Sequence, residues 1–229
     1  MSSMDGMPMP GGWTMSMTWM RMPGQTWLGA VTSFLGMWTV MMIAMMLPAL
    51  VPMLSRFRQE VVLTNERQLG WLTLAAGWGY LCVWILLGTF VFSLGASGAA
   101  AEVEWPFVSR MVPFVAGVIV VMAGALQFSG WKADQLAFCR ESLDRSRRQP
   151  ATPASAWREG LRLGLHCVYC CASLTTILLV FGVMDLRVMA AVTAAITLER
   201  LAPAGEWIAR AMGRIVVLTG LILMIRTLL

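Results

Sequence analysis

The sequence predicts an all-α, polytopic membrane helix bundle of about six transmembrane helices with both termini outside. Three observations lead there. Hydrophobic residues make up 58% of the 229 and charged residues only 13%, where a soluble domain carries about 25% charged residues. Apolar stretches long enough to cross a bilayer, roughly 17 to 25 residues, recur along the whole chain. Thirteen of the 17 Lys and Arg residues fall in the connections 55–68, 129–162 and 200–214, which the positive-inside tendency assigns to the cytoplasm. An even number of spans then returns both ends to the other side.

The spans read, in order, 27–54, 69–95, 107–128, 162–181, 184–199 and 207–228. The first two are longer than lipid requires and can tilt or extend beyond it. The fifth is short, and only Gly182-Val183-Met184-Asp185 separates it from the fourth. A re-entrant pair is therefore a second arrangement for those two. Residues 1–26 form a disordered, Met-rich external tail, and 27–229 a single transmembrane domain with a cytoplasmic loop at about 129–161. The first residues do not resemble a cleaved signal peptide, since they lack a basic segment and are broken by Gly and Pro. Glu102 and Glu104 mark an outer loop over 96–106. Residues Trp131 to Arg140 read as an extension of span three that loops back through Pro150 and Pro153. The net charge of +5 follows topology and gives no indication of nucleic-acid binding. The expected setting is the inner (cytoplasmic) membrane of a bacterium, crossed several times, with the lipid bilayer as partner.

Chemistry concentrates at His166-Cys167-Val168-Tyr169-Cys170-Cys171, which holds three of the five cysteines and the lone histidine. On a helix His166 and Cys170, and Cys167 and Cys171, stand four apart, so the group covers one broad face. Thiolate and imidazole suit Cu(I), Zn(II) or iron, and an unemployed polar cluster in hydrocarbon is costly. One helix closes a tetrahedral site poorly, so a second must donate; Cys139 and the methionines of span one are the candidates. Structural packing and thiol redox chemistry are the competing readings. Cys82 reads as a small hydrophobe.

Methionine is the second signal. Fourteen of the twenty lie in the first 53 residues. In the tail, Met7 and Met9, then Met15, Met17, Met20 and Met22, resemble the methionine motifs of copper-handling proteins. Thioether sulfur is a neutral, soft ligand that takes Cu(I) and largely ignores Mg or Ca. Trp13, Trp19 and Trp27 equally suit an interfacial anchor in which those methionines have no role. Within span one, Met41-Met42 and Met45-Met46 precede Pro48 and form two adjacent columns along one helix side. Pro48 should kink the helix and free a carbonyl near them. Met also packs well in any apolar core, and for this group alone packing is the favoured reading. Lys132, Asp185, Glu199 and Arg200 lie near membrane ends; Glu199 could face the bundle interior and pair with Arg200 or Lys132, but snorkelling to the interface is the favoured account.

With these pieces in view, the chain resembles a bacterial family of predicted metal-binding integral membrane proteins (domain of unknown function 2182). The resemblance rests on Trp38 through Pro48, Gln127 with Lys132, Cys139-Arg140, Gly160 to Cys171, Gly182 to Leu186, and Leu198-Glu199-Arg200. It covers roughly residues 30–228, leaves the tail outside, and implies a metal role without a reaction. It also implies a further Cys a few residues before Cys139, where this chain has Gln135 or a neighbour.

The expected function is binding and transfer of a soft metal, foremost copper as Cu(I), for copper acquisition or delivery to a cuproenzyme. Other soft or borderline metals remain open. The copper ion's further partners would be a copper chaperone or a membrane cuproenzyme. An enzyme is the less favoured class, and no phosphate-binding Gly-x-x-x-x-Gly-Lys motif marks an ATP-driven pump. The alternatives are a membrane thiol/quinone oxidoreductase using Cys167 and Cys170, or a non-catalytic subunit of a membrane copper-enzyme complex.

Overall fold

The structure, a computed structural model, describes residues 6–8, 14–16, 19, 24–62, 69–132, 134–135, 152–183, 185–202 and 205–228. Among the described residues six long helices make the body: α1 (Trp27–Val62), α2 (Leu69–Glu104), α3 (Pro106–Leu126), α4 (Pro153–Phe181), α5 (Leu186–Leu201) and α6 (Gly205–Leu228). Five are long and apolar enough to cross a membrane; α5, with 16 residues, falls outside that set. At about 1.5 Å per residue it is some 24 Å long, less than a hydrocarbon core of about 30 Å. The expected six-helix count is thus met, while five of the six qualify as spans. The bundle's outer surface is apolar, with Trp71, Leu86, Phe90, Phe107, Leu218 and Ile222 turned outward. That suits lipid, not water, as the surrounding medium.

The expected outer loop at 96–106 is instead helix. α2 runs to Glu104, and Trp105 alone separates it from α3. The sequence Ala99-Ala100-Ala101-Glu102 is made of strong helix formers, and Pro106 is suited to the first turn of a new helix. The expected continuation of span three past Trp131 is also interrupted. α3 stops at Leu126, residues 127–129 turn, and helix resumes at 130–132. Pro153 proves to be a helix start: Thr152 and Ser155 form a capping box before α4, with Pro153 at the first position. Between α4 and α5 the chain reverses at Gly182, whose φ of 119° few other residues adopt. The Asp185 side chain then accepts from the backbone N–H groups of Arg187 and Val188.

Two glycine seams hold the helices close. Along α2 and α4, a side chain at Gly160 would meet the Ala76 carbonyl oxygen at 2.0 Å, and one at Gly79 would meet the Trp157 carbonyl oxygen. Along α3 and α6, Gly117, Gly124, Gly213 and Gly220 let the backbones approach in antiparallel fashion. Close backbone contact of this kind is how helices associate without a hydrophobic drive between them. Gly77, two positions before Gly79, instead faces open space.

In the tail, where the sequence shows no strand period, Gly6–Pro8 (β1) pairs antiparallel with Thr14–Ser16 (β2), with Met7 opposite Met15. Trp19 packs on Phe34 of α1, ring centroids 5.4 Å apart, and on the bare backbone of Gly95 in α2. Met17, Met20, Met22 and Cys139 lie outside the described residues.

Candidate metal centre

The two sulfur-rich segments meet in the core. Met41, Met42, Met45 and Met46 are all buried, as the two-column spacing on α1 requires, while Ile43 between them and Val40 and Leu47 beside them face out. α1 is fixed against α2 by Trp38, fully buried, whose indole N–H donates to the Trp84 carbonyl at 3.0 Å. The helix continues through Pro48 to Val62. Proline has no N–H, so the Ala44 carbonyl four residues back loses its usual helical partner.

From α4, Cys167, Cys170 and Cys171 are each 1% exposed and belong to the same core cluster as the methionines. All are free thiols. Cys171 follows Cys170 directly and stands one helical turn beyond Cys167. Cys167 is the meeting point. Its Sγ lies 3.8 Å from Met46 Sδ of α1, 3.2 Å from the Tyr80 hydroxyl of α2, and 3.2 Å from the Arg200 guanidinium at the end of α5. Four helices thus converge on one sulfur.

The separation of the two sulfurs is chemically informative. Sulfur binds such ions at roughly 2.3 Å, so two sulfurs on one ion stand about 3.8 to 4.0 Å apart at tetrahedral to trigonal angles. Thiol and thioether are both soft donors. The pair therefore fits a soft ion in both chemistry and spacing. Among the described residues no group of three or more His, Cys, Asp or Glu side chains is arranged to hold a metal ion.

His166 sits differently. Its ring is half-buried and its Nδ1 lies 3.3 Å from Gln135 Oε1, on the segment that follows α3. Tyr169 is turned outward, edge-on to Trp131 at 6.0 Å between ring centroids. Together these contacts bring Trp131 and Gln135 to the turn of α4 that carries the thiols.

Snorkelling, the ordinary account of the membrane-end charges, fails for two of them. Lys132 and Glu199 form an ion pair with 2.9 Å between Nζ and Oε2 and with side chains only 4% and 2% exposed. Gln127 donates to the other carboxylate oxygen at 2.9 Å, and Lys132 also donates to the Cys170 carbonyl. The pair links the end of α3, α4 and α5 directly beside the thiols. Tyr80 escaped the sequence reading altogether, although a hydroxyl inside an apolar run is a detectable signal. Arg200 was noted as an interfacial charge, and its contact with Cys167 has no local signature.

A family model described as PpoB2, copper chaperone, matches residues 35–223, which take in α1 from Leu35, the thiol cluster and Arg200. No curated protein and no solved structure matches the chain. The match carries the copper description and not the domain label suggested by the earlier resemblance. By that match, the chain belongs to the PpoB2 family of copper chaperones.

Proposed function

We propose that this chain is a membrane-embedded copper carrier that holds Cu(I) between helices α1 and α4 and passes it to a cuproenzyme. The observation that carries this is the approach of Cys167 Sγ to Met46 Sδ at 3.8 Å, across 121 positions of sequence. Cys170 and Cys171 lie within the same turn and supply further thiol sulfur. Met41, Met42 and Met45 continue the thioether column along α1. Cu(I) is the ion that such a donor set favours, because thioether contributes no charge and little affinity for hard cations.

On the topology drawn from the positive-inside tendency, with α5 taken as a short sixth span, both termini are outside the inner membrane. Met15, Met17, Met20 and Met22 then collect the ion outside, where thioethers do not form disulfides. Transfer runs by ligand exchange from thioethers to the more strongly binding thiols. His166, near the end of the thiol face, and Cys139 are the further candidate donors to that thiol site. Aromatic packing of Trp19 against Phe34 and Gly95 supports this reading, since it brings the tail to α1 and α2.

The test is bound metal in protein purified from membranes in detergent under reducing conditions, measured by mass spectrometry. A variant with Cys167, Cys170 and Cys171 changed to Ser is measured beside it. Near-stoichiometric copper that disappears in the variant supports the reading. A wild type that takes up no Cu(I) when supplied with it sinks the reading and leaves a thiol redox or structural role.

A further inference from the structure

We propose that Arg200 is the residue that restricts the site to monovalent soft ions, through the charge that it holds against Cys167. This rests on the copper-carrier reading above and adds to it the basis of valence selection. The guanidinium donates to Cys167 Sγ at 3.2 Å. Of the other groups described on that sulfur, the Tyr80 hydroxyl and the Met46 thioether are neutral. The nearby Lys132 and Glu199 are paired with each other at 2.9 Å, so their fields largely offset. Arginine stays charged in any protein setting. An ion bound to Cys167 therefore sits a few ångströms from a permanent positive charge, beside a sulfur that is 1% exposed.

Two effects follow, and they separate cleanly. The guanidinium donates a hydrogen bond to the Cys167 sulfur, a contact that assists any metal ion held by that sulfur equally. It also repels the bound cation, and that repulsion scales with the cation's charge. A divalent ion meets it twice over, a monovalent ion once. In the ratio of affinities for a monovalent and a divalent ion the first effect cancels and the second remains. Softness alone does not give this selectivity, because thiolate accepts Zn(II) as readily as it does Cu(I) in many sites.

The experiment compares wild type with R200Q, R200M and R200K, each purified in detergent. Affinities for Ag(I), an air-stable stand-in for Cu(I), and for Zn(II) are measured by chelator competition. R200M keeps the aliphatic stem, so it serves where the glutamine variant packs badly. The neutral variants are expected to shift the Ag(I):Zn(II) affinity ratio towards Zn(II) by about tenfold or more. R200K, which keeps the charge, is expected to stay near the wild-type ratio, a rescue that a purely structural role would not produce. Neutral variants that bind both ions with the wild-type ratio overturn the inference, as does R200K shifting along with them. In that case uptake of Ag(I) by the wild type leaves the carrier reading standing. A wild type that binds no Ag(I) overturns both.

Discussion

Lys132 and Glu199 pair at 2.9 Å inside the protein, 67 positions apart, with Lys132 also anchored to the carbonyl of Cys170. Burying two charges costs several kcal/mol per ion, and their attraction offsets this only when the geometry is good and the remaining polar atoms are bonded. Gln127 meets part of that requirement on the carboxylate. The pair fastens the segment after α3 onto both α4 and α5, so the thiol face keeps its position relative to Arg200.

Removing one partner leaves the other charge buried and uncompensated. K132M and E199Q are each expected to lose about 3–5 kcal/mol of stability. The double variant, with no charge left, is expected to lose clearly less than the sum. Thermal unfolding in detergent reads all three. A double variant as destabilised as the two losses added together would show that the residues act independently.

The glycine seam makes a sharper contrast. At Gly160 a β-carbon would lie 2.0 Å from the Ala76 carbonyl oxygen, which is backbone and cannot step aside. G160A should force α2 and α4 apart and lower the unfolding temperature or abolish folded yield. At Gly77 nothing lies within 4 Å, so G77A should be neutral or stabilising by up to about 1 kcal/mol through helix propensity. Equal behaviour of the two variants contradicts the packing described.

The different legibility of these features has a physical basis. Apolar run length depends on composition, so the helices could be read directly, and so could the inward face of Met41, Met42, Met45 and Met46 from their spacing. At 96–104 the acidic Glu102 and Glu104 suggest a loop, whereas the Ala-rich sequence keeps the helix going. The Lys132–Glu199 pair and the Tyr80 and Arg200 contacts on Cys167 depend on which helices become neighbours. Local periodicity does not contain that information. The β1–β2 pairing of Met7 with Met15 involves three-residue strands, too short for any alternation to stand out.

Trp38 offers a test of how α1 is held in register with α2. Its indole N–H donates to the Trp84 carbonyl, and the ring occupies the notch left by Gly88. W38F keeps most of the apolar volume and deletes the donor. A loss of about 1–3 kcal/mol is expected, the cost of leaving a buried carbonyl without its partner. Unfolding at the wild-type temperature would indicate that the hydrogen bond adds nothing.

The last prediction isolates the thioether. Met46 is 1% exposed and faces Cys167 Sγ at 3.8 Å. Leucine has nearly the same volume, so M46L should cost less than about 1.5 kcal/mol in stability. If the sulfur is a ligand, Cu(I) affinity should nonetheless fall by about tenfold or more, because a soft donor is lost and no other group of that kind replaces it at that point. The paired control is I43L on the same helix, whose side chain is turned away from the core. It should leave both stability and affinity near wild type. Chelator competition for Cu(I) under reducing conditions, run with unfolding curves on the same samples, separates the two effects. M46L with full affinity would remove the thioether from the site and leave the cysteines of α4 to hold the ion without help from α1.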